Sequence, residues 1–322
     1  MKNRKIVILD GARTNPGDLS WEPINALGEL TVYPFTAPEE MVDHIGDNEI
    51  VVLDKPSVTR EILEACPNLR LITLFATGYN NIDIRAARER GIDVCNAPGY
   101  SSYAVSQLAA ALLLEICTQV GRHDRALKAG EWKDNSYFCR VAPSLMEIAG
   151  KRVGIVGYGG IGQAFGRIMK AMGAELLVNT RHNKAEWEDG QTRCVSLDEL
   201  FRHSDIISLH CPLNEDSRGM INRESLAKMK DGTILINTSR GGLIVEEDVA
   251  EALRSGKLRA LGQDAFLTEP LPSNSPLLAA PNTWLTPHIG WAPHETRARL
   301  IELVADNIRA FLEGTPQNVV NP

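Results

Sequence analysis

The stretch that most constrains this chain is Val153-Gly154-Ile155-Val156-Gly157-Tyr158-Gly159-Gly160-Ile161-Gly162-Gln163-Ala164-Phe165-Gly166-Arg167. Residues 153–156 read as a buried strand, followed by a glycine turn and the opening of a helix. Gly157, Gly159 and Gly162 form a G-x-G-x-x-G pattern. The first glycine permits a tight turn, the second lets the backbone approach a pyrophosphate, and the third lets helix and strand pack closely. Free N–H groups and the dipole at the helix start then favour an anion. Glycine turns also join ordinary strands and helices. Here the strand before it and the helical spacing of Ile161, Phe165, Ile168, Met169 and Met172 after it supply the context of a dinucleotide site.

Strand–helix alternation extends this unit on both sides. In the first hundred residues, 6–9, 49–53, 71–75 and 92–95 read as strands, and 39–45, 60–65 and 84–90 as helices. A second series has strands at 153–156, 175–179, 206–210, 233–237, 260–264 and 283–286. Such alternation implies parallel sheets covered on both faces. Pro98-Gly99 separates the two series, and the 322-residue length suits two domains. Between them, residues 105–120 carry apolar side chains at helical spacing, with Ser101 and Ser102 as caps, and suit a connector at a domain boundary. A last helical pattern, 296–312, ends at Gly314 and Pro316 and can return the chain to the first domain, making that domain discontinuous. The predicted division is 1–100 with 293–322, and 101–292.

Other classes fit poorly. A net charge of -7 argues against nucleic-acid or anionic-membrane partners. The apolar run at 6–9 is too short for a signal-peptide core, and Ser106, Gln107, Glu115 and Gln119 interrupt the most apolar later stretch. The six cysteines are scattered, with no pair at metal-binding spacing, so buried thiols in a reducing cytoplasm and no metal are expected.

Ligands of open α/β sheets bind outside the carboxyl ends of strands. Asn237-Thr238-Ser239-Arg240-Gly241-Gly242, Asp264 with Glu269-Pro270, and Thr286-Pro287-His288-Ile289-Gly290 all follow strands. Arg240, Asp264, Glu269 and His288 can therefore share a cleft. Arginine binds a carboxylate bidentately and polarises a neighbouring carbonyl. Histidine can donate the proton that accompanies hydride transfer, and a glutamate on its other nitrogen would orient it and favour its protonated form. Taken singly, the arginine also suits a surface cap and the histidine a satisfied core position. Together they suit reduction of a 2-keto acid.

With these motifs in place, the chain resembles the D-isomer-specific 2-hydroxyacid dehydrogenases over essentially its whole length. The resemblance implies a Rossmann-type dinucleotide-binding domain inserted in a flavodoxin-like substrate domain, both doubly wound. It implies catalysis by Arg240, Glu269 and His288, with Arg240 and His288 also holding substrate. Asp264 would contact the nicotinamide carboxamide, and Thr238 and Ser239 would line the nicotinamide side. Ala76-Thr77-Gly78-Tyr79-Asn80-Asn81-Ile82-Asp83 matches the family's first-domain loop, whose amides at Thr77 and Gly78 would bind the substrate carboxylate. His210-Cys211-Pro212-Leu213 matches a loop beside the cofactor. The implied cofactor contacts are thus Gly157, Gly159, Gly160, Ile161, Gly162, Thr180, Arg181, Cys211, Pro212, Thr238, Ser239, Asp264 and Gly290.

Within the family the similarity is greatest to glycerate dehydrogenases (hydroxypyruvate reductases). It rests on Ala76-Thr77-Gly78, Tyr100-Ser101-Ser102, Val105-Ser106-Gln107, Glu131-Trp132, Phe138-Cys139 and His288-Ile289-Gly290-Trp291-Ala292. Hydroxypyruvate or glyoxylate reduction is the implied activity. D-lactate or a bulkier keto acid is the nearby alternative, and a non-catalytic dinucleotide sensor the contrasting class. Retention of Arg240, Glu269 and His288 argues against the latter. The family also implies a homodimer, with residues 105–120 and 131–138 as the surface.

One position departs from the pattern. About 18 residues after Gly162 the family often has an aspartate for the adenosine ribose; here Val178-Asn179-Thr180-Arg181-His182 stands there. Without that carboxylate, and with Arg181 able to pair with a 2′-phosphate, NADP is favoured over NAD, with dual use allowed. The other possibility is that Arg181 points to solvent and NAD binds without an acidic partner.

Overall fold

The computed structural model describes residues 4–133, 138–139, 145–181 and 185–322. The chain divides into two compact units, Met1–Ser101 with Ala292–Pro322, and Ser102–Trp291.

The first unit has a parallel five-stranded sheet. Its strands are β1 (Lys5–Ile8), β2 (Glu29–Val32), β3 (Ile50–Leu53), β4 (Leu71–Leu74) and β5 (Asp93–Cys95), in the order β2-β1-β3-β4-β5. That is the flavodoxin-like order. β3 and β4 are buried at every position, as both-face coverage requires. Val7, Val51, Leu53, Ile72 and Leu74 pack with Met41, Ile45 and Leu63. The helix His294–Leu312 packs on β4 and on the short helix Glu22–Asn25. Beyond it, Val320 N–H donates to Val94 O, and Asn321 bonds the backbone of Ile92 and Val94. The unit is therefore built from both ends of the described chain.

The second unit has a parallel seven-stranded sheet. Its strands are β6 (Arg152–Val156), β7 (Glu175–Asn179), β8 (Thr192–Cys194), β9 (Ile206–Leu209), β10 (Thr233–Asn237), β11 (Leu258–Gln263) and β12 (Thr283–Leu285). Their order is β12-β11-β10-β9-β6-β7-β8, the Rossmann arrangement extended by one strand. Ile207, Leu209, Leu235 and Leu261 face one hydrophobic cluster, while Val153, Ile155, Ile206, Ile234 and Ile236 face another. Helix Ser102–Thr118 belongs to this second unit, where it packs on helix Gly160–Ala171 and on β10 and β11.

Several sequence expectations need correction. β2 and β8 were not anticipated, so the sheets have five and seven strands rather than four and six. The helix expected at 105–120 ends at Thr118: Gln119 is left-handed (φ 52°), and Val120 opens an exposed helix, Val120–Lys128, with no buried residue. The segment expected as one helix at 39–45 is a 3-10 turn, Pro38–Glu40, followed by Met41–Ile45. Of the cysteines only Cys66, Cys95 and Cys117 are buried; Cys194 and Cys211 are half-buried and Cys139 is exposed. Burial pushes the Cys95 thiol up to about 12 and that of Cys117 to about 11. Among the described residues no single helix is long and apolar enough to cross a membrane. Of the stretch expected at a dimer surface, residues 134–137 lie outside the described residues, as does His182.

Candidate active site

In the second unit the strand order reverses between β6 and β9, and ligand crevices of such sheets open at that switch point. The glycine turn follows β6 and Cys211 follows β9, so the two face each other. Gly157 has φ 92°, and a Cβ there would lie 2.6 Å from Cys211 N. A Cβ on Gly162 would lie 2.2 Å from Gly157 O, so the helix Gly160–Ala171 can start this close to the strand only with glycine. A Cβ on Gly159 would meet nothing within 4 Å. The backbone at the helix start thus borders open space, with unspent amides to offer a pyrophosphate. These features fit a dinucleotide.

The loops after β10, β11 and β12 are tied together. Asn237, fully buried, accepts from Ser239 N–H and donates to Arg240 O, which folds the loop back on its own strand. Ser239 Oγ donates to Cys211 O at 2.6 Å, joining this loop to the one after β9. The Arg240 side chain is exposed. Gly241 packs so closely that a Cβ would lie 1.9 Å from the carbonyl carbon of Phe266. That contact holds the Arg240 loop against the segment that carries Glu269.

Glu269 and His288 form the centre of this cluster. Both carboxylate oxygens of Glu269 lie on His288 Nδ1, at 2.9 and 2.8 Å. Glu269 Oε1 also accepts from Phe266 N–H, which fixes the carboxylate relative to its own loop. A carboxylate on Nδ1 assigns the proton to that nitrogen and leaves Nε2 outside the pair. His288 itself has φ 55°, a left-handed conformation uncommon outside glycine. It is held there by Asp264, whose carboxylate accepts from Thr286 Oγ1 and Ile289 N–H on one oxygen and Gly290 N–H on the other. Asp264 therefore fastens both flanks of His288. Sequence reasoning did not identify this role, nor those of Asn237 and Thr286.

Four buried polar atoms at these strand ends have no partner: His210 Nδ1, Thr238 Oγ1, and Nε2 and Oε1 of Gln263. Such atoms are rare in folded proteins, and Thr238 stands beside the loops just described. His210 Nε2 contacts Ser208 Oγ at 2.9 Å, and its ring packs 5.2 Å from that of Phe165.

Just beyond β7, Arg181 Nη2 lies 3.2 Å from Asp216 Oδ2, so Arg181 has a charged partner although both side chains are largely exposed. A cavity of about 200 Å³ opens beside Thr180, lined also by Val178, Cys194, Val195, Ser196 and Glu199. None of the Glu269–His288 group lines it.

In the first unit, Ala76, Thr77 and Gly78 follow β4. Thr77 Oγ1 donates to Ala97 O, Asn96 Nδ2 donates to Thr77 O, and Ala97 N–H donates to Ala76 O. Asn81 Nδ2 donates to Asp54 O and Pro56 O, anchoring the far end of the loop.

Residues 110–290 match the family described as "D-isomer specific 2-hydroxyacid dehydrogenase, NAD binding domain". A hydroxypyruvate reductase of Blautia hydrogenotrophica is 48% identical over 98% of this chain and 99% of its own length. A glyoxylate reductase of Korarchaeum cryptofilum is 37% identical over 91% of this chain and 90% of its own. Among solved structures, an acyclic imino acid reductase in complex with NADPH and D-Arg superposes with a TM-score of 0.84 at 30% identity, covering 98% of this chain and 99% of that one. A Rossmann-ordered sheet with its glycine turn, a histidine–glutamate pair on later strand ends and full-length similarity all agree: the chain belongs to the D-isomer specific 2-hydroxyacid dehydrogenases, enzymes with an NAD-binding domain.

Proposed function

We propose that the protein reduces hydroxypyruvate or glyoxylate to the corresponding hydroxy acid, with NADPH preferred to NADH. The observation that carries the chemistry is the Glu269–His288 pair, anchored through Asp264 at carboxyl strand ends of the same sheet that bears the glycine turn. A nicotinamide cofactor held at the glycine turn of residues 157–162 would supply the hydride for the carbonyl carbon. His288 Nε2 delivers a proton to the carbonyl oxygen, and Glu269 compensates the charge on the imidazolium before transfer. Arg240 pairs with the substrate carboxylate and polarises the adjacent carbonyl. In the first unit, Thr77 and Gly78 would offer backbone amides to a substrate carboxylate, as the family resemblance implies. The substrate reading draws on the names of the hydroxypyruvate and glyoxylate reductases to which the chain is similar.

For the cofactor, the support is Thr180 in place of the usual acid, with Arg181 next to it. Thr180→Asp is expected to shift preference toward NADH. A homodimer is inferred from the family and from helix Val120–Lys128, whose Val120 and Leu127 are exposed; light scattering of the purified protein tests it. Steady-state rates on hydroxypyruvate, glyoxylate, pyruvate and a branched keto acid, each with both cofactors, test the main reading. Strong turnover of another keto acid beside a flat response to the first two rejects it.

A further inference from the structure

Arg181 does not stand alone at the adenosine end of the crevice. It lies two residues beyond β7, whereas Asp216 lies in the loop beyond β9. In the sheet β6 sits between those two strands. The Arg181–Asp216 pair therefore spans the carboxyl end of β6, the strand whose glycine turn faces the pyrophosphate. The acidic side of this bridge is built firmly. Ser217 Oγ accepts from Asn214 N–H and donates to Pro212 O, and Asn214 Oδ1 accepts from Ser217 N–H, so the turn that carries Asp216 is closed on itself. Both partners are largely exposed, at 65% and 89%, and a pair this wet adds little to folding.

We propose that Asp216 sets the cofactor choice by opposing Arg181: its carboxylate holds the guanidinium and repels a 2′-phosphate, restraining a preference for NADPH. The inference rests on the reading of Arg181 as the partner of the 2′-phosphate. A phosphate dianion reaching Arg181 must come within a few ångströms of the Asp216 carboxylate, whereas the 2′-hydroxyl of NADH brings no charge to repel. The chain thus carries its discriminating acid on a different strand end from the usual one, where Thr180 stands. In water-like dielectric this repulsion over about 6 Å corresponds to roughly tenfold in affinity. Glu199, across the cavity beside Thr180, is already engaged by Arg193 at 3.0 Å.

The test is a fluorescence titration of NADPH and NADH dissociation constants on the full chain, wild type against Asp216→Asn, Asp216→Glu and Arg181→Gln. Asp216→Asn is expected to raise the NADPH-to-NADH affinity ratio about fivefold to tenfold. The gain should shrink as salt rises, since exposed charges are screened, and Asp216→Glu should return the ratio toward wild type. An unchanged or lowered ratio in Asp216→Asn, with Arg181→Gln lowering it, overturns the role of Asp216 alone. A ratio unmoved by Arg181→Gln overturns both this inference and the assignment of Arg181. A salt-independent gain overturns the electrostatic account.

Discussion

His288 is held in a backbone conformation that most side chains avoid, and the bonds on both sides of it come from one aspartate. Strain of this kind persists only where neighbours over-determine it. Asparagine tolerates the same left-handed region, so His288→Asn removes the imidazole with little backbone penalty. It is expected to lower turnover by about 10²- to 10⁴-fold while NADH affinity stays within a few-fold; near-normal turnover removes His288 from the mechanism. Glu269→Gln keeps an acceptor for Phe266 N–H but loses the charge facing Nδ1, and a smaller fall in turnover is expected. That Arg240, Glu269 and His288 follow strands, and that the last two pair, was legible in the sequence because each has an informative side chain next to a readable strand. Asn237 and Thr286 were not, because their partners depend on how loops turn back. Asp216 lies 35 residues from Arg181, and no local pattern links them.

At the level of elements, the fully buried strands declared themselves through continuous apolar runs such as Ile50–Leu53 and residues 234–236. β2 and β8 escaped notice because each is a partly exposed edge strand, whose identity comes from pairing rather than composition. The glycine positions give sharp predictions here. Gly241→Ala drives a methyl into the Phe266 carbonyl carbon, so the segment leading to Glu269 must shift. A stability loss of about 1–3 kcal/mol is expected, with a lower turnover; calorimetry and steady-state rates check it. Gly162→Ala pushes against Gly157 O and should abolish dinucleotide binding, whereas Gly159→Ala meets no protein atom and should reveal the steric demand of the ligand itself.

The whole molecule should be acid-sensitive through His210. Burial pushes its imidazole down to about 3, against about 6.5 in an unfolded chain. The folded state then binds fewer protons between those values. The stability this group contributes is complete above about pH 6.5 and is lost as pH falls toward about 3. His210→Gln should flatten the fall of Tm with decreasing pH over that window, and an unchanged slope counts against it. At the other side of the chain, the Asn321 side chain bonds the backbone of Ile92 and Val94 in the first unit. Asn321→Ala should cost about 1–3 kcal/mol there, since it leaves buried backbone groups unpaired; denaturant titration measures it. That dependence on both ends has a consequence during synthesis. Residues 102–291 are contiguous and can complete their sheet as they leave the ribosome. The strands of the first unit are made earlier, yet must wait for residues 292–322 before their second face is covered. The sheet that is made first is thus the one that finishes folding last.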